Sequence, residues 1–172
     1  MSEHEKDVNE IIPHLWLGNY KAAYDKGFLN KYNINYIITI MDDFDRKISY
    51  NNIIHFIIPL KDKDLCSRNL INIFETTANF INKVLNENSS ILVHCKRGHH
   101  RSSSVIAAYL IKFLKIKYEV AIKYINFLRP CAFRRDTCMS KGLFQYYLYI
   151  NNIKNCEMKC VKHSEIFNII YI

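Results

Sequence analysis

The sequence predicts a single α/β domain, built on a central, mostly parallel sheet of about five strands flanked by helices. Short β-branched runs alternate along the chain with longer stretches whose apolar residues recur at helical spacing, the order that sets strands side by side beneath helices on both faces. The 172 residues, 49% of them hydrophobic, suffice for one substantial core. With 4 glycines and 3 prolines the chain has no Pro/Gly/Ser-rich linker to divide it, and it shows no internal repeat.

The elements follow in order. Residues 1–9 are polar and expected to fray. Residues 11–19 alternate into a short strand with Trp16 in the core, ending on a Gly18-Asn19 turn. Residues 20–32 read as a helix broken near Gly27, 34–41 as a β-branched strand and 42–52 as a polar loop. A strand at 53–58 stops at Pro59, and 60–69 form a loop too charged for a core. Leu70, Ile73, Phe74, Thr77, Phe80, Ile81, Val84 and Leu85 then mark one face of a long helix. The apolar run 91–93 is a buried strand, and 105–111 a helix. Two more helices span about 118–128, halted ahead of Pro130, and about 140–152. This gives a domain over 10–152 and a tail, 153–172, without an assigned role.

The chemistry concentrates where the buried strand meets the next helix. The strand stops at His94-Cys95, a loop turns on Gly98, and the helix opens near Arg101-Ser102. Loop N–H groups and the free N–H groups of a helix start converge there as an anion cradle. Cys95 at its floor would be held as thiolate, the nucleophilic form. Arg101 brings a planar fork of donors that grips phosphoryl oxygens in pairs, and Gly98 permits positive φ and close approach. The residues alone specify a thiolate nucleophile in a phosphate cradle.

His94-Cys95-x-x-Gly98-x-x-Arg101-Ser102, followed by Ala108-Tyr109-Leu110, resembles the cysteine-dependent protein phosphatases and within them the dual-specificity group. The likeness covers about residues 10–150, and Trp16-Leu17-Gly18 is similar to that group's opening strand. It implies a phosphatase-type Cys-x5-Arg loop between strand and helix. It also implies hydrolysis of phosphotyrosine and phosphoserine/phosphothreonine in proteins through a cysteinyl-phosphate, with no metal or cofactor. The leaving oxygen needs a proton from a carboxylic acid, which then serves as base toward water. The family's Asp-x5-Leu spacing, ending on Leu70, selects Asp64, whereas its Pro-x-x-Asp spacing from Pro59 selects Asp62. Asp64 is preferred, because distance to the cysteine matters more than distance to a strand end. His94 is expected to hydrogen-bond around Cys95, and Ser102 to donate to the thiolate as it leaves phosphorus; each has a simpler role as core histidine or helix-start cap.

Lys96, Arg97, His99 and His100 make the loop around Gly98 unusually basic for this group. Such loops resemble those of phosphoinositide and inositol-pyrophosphate phosphatases, so a polyanion (inositol phosphate, phosphoinositide or RNA 5′ end) is the alternative substrate. Charges that merely face solvent are the plain alternative. A non-catalytic phospho-binding module is the remaining rival, opposed by the intact Cys95 and Arg101. The family's Asn-x-Gly-Phe is here Ser140-Lys141-Gly142-Leu143, which removes an expected brace on the loop.

The formal charge of +8 suits acidic partners: phosphorylated proteins, phosphoinositides or nucleic acid. No run is long and apolar enough to span a membrane, and the first residues lack the apolar stretch of a secretory signal. The six cysteines, Cys66, Cys95, Cys131, Cys138, Cys156 and Cys160, are therefore expected as thiols in a cytoplasmic or nuclear protein. Cys156-x3-Cys160-x2-His163 lacks a fourth ligand at zinc spacing and reads as tail.

Overall fold

The structure is a computed structural model that describes residues 6–42, 52–60, 70–135 and 137–153. Its elements are β1 (Val8–Ile12), β2 (Leu15–Gly18), α1 (Tyr20–Tyr24), α2 (Lys26–Lys31), β3 (Ile34–Ile40), β4 (Ile54–Ile58), α3 (Leu70–Asn86), β5 (Ser90–His94), α4 (Arg101–Phe113), α5 (Tyr118–Leu128) and α6 (Cys138–Ile150). The five strands lie in the order β1-β2-β5-β3-β4. β2, β5, β3 and β4 run parallel, and β1 alone is antiparallel, to β2.

The mostly parallel sheet agrees with expectation, but its first edge does not. Residues 11–19 are not one strand: Pro13 and His14, the latter at φ 68, turn the chain into a hairpin. Val8 and Asn9, expected to fray, pair with Gly18 and Leu17. Edge pairing and side-chain anchors from elsewhere hold this segment, and neither leaves a trace in its own polar composition. The first helix breaks at Asp25 rather than Gly27. That residue ends α1 and caps α2 by accepting from the Phe28 N–H at 3.0 Å.

Alternation along the buried strands builds two cores. Ile91 and Val93 of β5 join Leu15, Leu17, Ile38 and Ile40 beneath α3–α6. Leu92 turns to the other face, with Trp16, Ile37 and Phe28 under α1 and α2. α4 is buried from Arg101 through Ile111, enclosed by the sheet, α3, α5 and α6. Its small first turn, Ser102-Ser103-Ser104, lets the helix start sit directly behind the end of β5. The loop 95–100 thus lies at the carboxyl end of the middle strand, where ligands of open α/β sheets bind.

Cys95 and Cys131 are in no disulfide, but Cys138 is disulfide-bonded, against the expectation of thiols throughout. Neither of the other two described cysteines is its partner. Cys66, Cys156, Cys160 and His163 lie outside the described residues, as do Asp62, Asp64 and all but the first residue of the tail. No described helix is long and apolar enough to cross a membrane.

Candidate active site

The loop between β5 and α4 is held through its five carbonyls from residue 96 to residue 100. The Tyr20 N–H donates to Lys96 O at 3.3 Å, and the Phe133 and Ser104 N–H groups donate to His99 O and His100 O at 3.0 and 2.9 Å. The Arg129 guanidinium takes the two carbonyls between, Nη2 on Arg97 O at 3.3 Å and Nε on Gly98 O at 2.9 Å. All described peptide bonds are trans, so each held carbonyl also fixes the direction of the N–H in its own peptide unit, for the five N–H groups from Arg97 to Arg101. One of them, Gly98 N–H, donates to Cys95 Sγ at 3.2 Å.

Gly98 sits at φ 69 with Gly18 pressed against it: an added Cβ would stand 2.5 Å from Gly18 O. The position is closed to any side chain. Cys95 is 3% exposed, and the Ser102 hydroxyl donates to its Sγ at 3.3 Å. Burial alone would push the thiol up. The Ser102 hydroxyl and N–H, the Arg101 charge and the Gly98 N–H outweigh it, and the net effect lowers the thiol below its ordinary value. Arg101, 5% exposed, donates from Nη1 to Leu60 O at 2.7 Å, so the arginine also rests on the chain just before 61–69.

His94 is fully buried at the end of β5, beside Thr39 of β3 in the sheet register. Thr39 Oγ1 lies 2.6 Å from His94 Nε2 and 2.6 Å from His55 Nε2. One hydroxyl proton serves two imidazoles, so Thr39 donates to one ring and accepts from the other. Burial, seconded by His55, lowers His94 to about 3, while a hydrogen bond with the Cys95 backbone works the other way. His94 is neutral at physiological pH. It lends Cys95 geometry rather than charge.

Lys96, Arg97, His99, His100, Arg101 and Arg135 line a cavity of about 290 Å3 with Cys95. No carboxylate is among its described walls. Sequence reasoning missed Arg135, which lies in an irregular stretch with no motif, and Arg129, which touches the loop only through backbone. A larger cavity of about 590 Å3 lies at the far end of α4, beside Lys115 and Lys117, and holds none of these groups. The chemistry belongs to the smaller one. Among the described residues no three His, Cys, Asp or Glu side chains gather as metal ligands.

The chain is similar to known proteins in sequence and in fold. The family model of the dual specificity phosphatase catalytic domain matches residues 15–147. Dual specificity protein phosphatase 22 of Xenopus tropicalis is 32% identical over 125 residues, covering 73% of this chain and 58% of that protein. The human protein of that name is 30% identical over 125 residues, covering 73% and 66%. The chain thus spans under two thirds of the length of these relatives. The crystal structure of DUSP15 superposes with a TM-score of 0.73 at 24% identity, over 81% of this chain and 86% of that one, which shows the shared fold.

Proposed function

Because this chain belongs to the dual specificity phosphatase family, we propose that it hydrolyses phosphotyrosine and phosphoserine/phosphothreonine in proteins. The single observation that carries the reading is the loop geometry: a buried cysteine whose thiol is lowered by the Ser102 hydroxyl and N–H, the Arg101 charge and the Gly98 N–H. The Cys95 thiolate attacks phosphorus, and the P–O ester bond breaks with its electron pair passing to the leaving oxygen. Asp64 protonates that oxygen. Water, deprotonated by the same carboxylate, then attacks the cysteinyl-phosphate, and the S–P bond breaks to release phosphate and restore the thiolate. Ser102 donates to the sulfur as it leaves, His94 fixes the Cys95 backbone, and Arg101 with the N–H groups holds the phosphoryl oxygens. No step calls for a metal or an organic cofactor. Lys96, Arg97, His99, His100 and Arg135 form the rim that meets the substrate beyond its phosphate.

The catalytic domain spans 10–152, and 153–172 is a tail. Phosphorylated proteins are the partners, in cytoplasm or nucleus, where the Cys95 thiol survives.

A substrate panel decides. Phosphotyrosyl and phosphothreonyl peptides should turn over, faster than inositol phosphates, and Cys95→Ser should abolish turnover while the fold persists. Faster turnover of inositol phosphates would hand the site to the polyanion reading, and wild-type rates in Cys95→Ser would overturn the thiolate mechanism. Asp64→Asn should slow phosphoserine far more than activated aryl phosphates, which need little protonation. A larger effect from Asp62→Asn would move the acid there.

A further inference from the structure

Arg129 is 2% exposed, one of the largest wholly buried side chains, and the proposed chemistry does not use it. It leaves α5 at an abrupt stop: Pro130 forces the preceding residue out of helical geometry, and Arg129 ends the helix at φ −134 and ψ 87. Its own N–H still closes the last turn on Ile125 O at 2.8 Å, so the exit is fixed. The guanidinium then meets four acceptors: Gly98 O at 2.9 Å, Arg97 O at 3.3 Å, Lys6 O at 2.8 Å and Asn9 Oδ1 at 2.7 Å. None is a carboxylate. A buried charge held only by neutral dipoles is costly, and an apolar side chain could fill the same volume without that cost.

We propose that Arg129 is a positioning residue of the phosphate cradle: it pins the Arg97–Gly98 and Gly98–His99 peptide units so that their N–H groups stay aimed at Cys95 and at bound phosphate. Arg97 O and Gly98 N–H belong to one trans peptide unit, gripped by Arg129 on one side and bonded to Cys95 Sγ at 3.2 Å on the other. Gly98 O and His99 N–H belong to the next, which Arg129 grips through Nε. Gly98, at φ 69, is the most freely rotating residue of the loop, and both units that flank it are the ones pinned. Only a planar fork reaches two neighbouring carbonyls at fixed angle, and the far Nη1 is tied to the start of the chain at Lys6 and Asn9. The loop is thus braced from α5 and, through Asn9, from β1.

This inference rests on the phosphatase reading of the cradle, yet its test needs no turnover. The Cys95 pKa is taken from the pH dependence of its alkylation by iodoacetamide, and inorganic phosphate is titrated as the protecting ligand. Arg129→Lys keeps the charge and loses the fork. It should raise the Cys95 pKa by about one unit and weaken phosphate protection about tenfold, as expected for loss of an aimed, charge-assisted donor. A folded Arg129→Lys variant with both quantities within twofold of wild type overturns the proposal and leaves Arg129 a structural staple. If that variant does not fold, Asn9→Ala decides, since it frees only the Nη1 end. A smaller shift of both quantities in the same direction supports the pinning, and wild-type values refute it. Failure of phosphopeptide turnover with intact phosphate protection would instead sink the phosphatase reading and spare this one.

Discussion

The Ser102 hydroxyl lies 3.3 Å from Cys95 Sγ and donates to it, the only side chain among the described residues with a hydrogen bond to that sulfur. It comes from the first turn of α4, whose Ser102 N–H also reaches the sulfur, so helix start and nucleophile are coupled. A hydrogen bond to a charged acceptor contributes about 1.5–3 kcal/mol, or roughly one to two pH units on the thiol. Ser102→Ala should therefore raise the Cys95 pKa by at least about one unit and slow breakdown of the cysteinyl-phosphate, because the sulfur leaves as a poorer anion. Rapid-quench kinetics should show a larger burst over a slower steady state. An unchanged burst with an unchanged pKa would reduce Ser102 to a helix-start residue.

Gly98 is predicted to be irreplaceable. Alanine at φ 69 costs about 1–2 kcal/mol by backbone conformation, before its Cβ meets Gly18 O at 2.5 Å and Arg129 Nη2 at 2.8 Å. The loop must move, and the Gly98 N–H bond to Cys95 goes with it. Gly98→Ala should lower the melting temperature and cut kcat by tenfold or more, as about 1.4 kcal/mol of lost transition-state stabilisation would do. A variant that melts lower but keeps wild-type kcat would show that the loop need not be tight to work.

Thr39, His55 and His94 give stability a pH dependence whose sign is fixed. In the unfolded chain a histidine takes up its proton near pH 6.5. In the folded protein His94 waits until about pH 3, and burial lowers His55 as well. Between these values the unfolded state binds more protons, so stability is full above about pH 6.5 and falls as pH drops, by about 1.4 kcal/mol per pH unit for His94. Urea midpoints at pH 7.5, 6 and 5 should fall in the wild type and fall less steeply in His94→Gln. Carboxylates titrate in both proteins, so the difference between the two slopes is the measurement. Parallel slopes would mean that His94 is not the group held neutral.

What the sequence could disclose divides along a physical line. Cys95, Gly98, Arg101 and Ser102 act from fixed spacings in one loop, and the loop's flanking strand and helix are written in local periodicity. Thr39 and His55 sit 55 and 39 positions before His94, and strand register alone brings them together. Arg129 was invisible for another reason: in the loop it acts on backbone carbonyls, which every residue possesses, so no residue type there signals it. Val8 and Asn9 look like a frayed terminus because their pairing partners lie beyond a tight turn at His14. Cys138 looked like one thiol among six, and only tertiary proximity can choose it for a disulfide.

Lys96, Arg97, His99, His100 and Arg135 surround the cavity with no described acid among its walls, so a second anionic group on the substrate finds only attraction there. Lys96, Arg97 and Arg135 are exposed, which limits each contact to about 0.2–1 kcal/mol, or up to roughly fivefold. Arg135→Ala combined with Lys96→Ala should weaken a doubly phosphorylated peptide several-fold more than its singly phosphorylated counterpart, through KM rather than kcat, because the contact is the same before and during phosphoryl transfer. An aryl phosphate carries no second anion, and its rate should hold. Raising salt from about 0.05 to 0.5 M should shrink the wild-type preference in the same sense, since exposed pairs are screened. If the ratio of the two peptides is flat in the double variant and across salt, the rim charges face solvent without selecting substrate, and the preference of this site is set by the cradle alone.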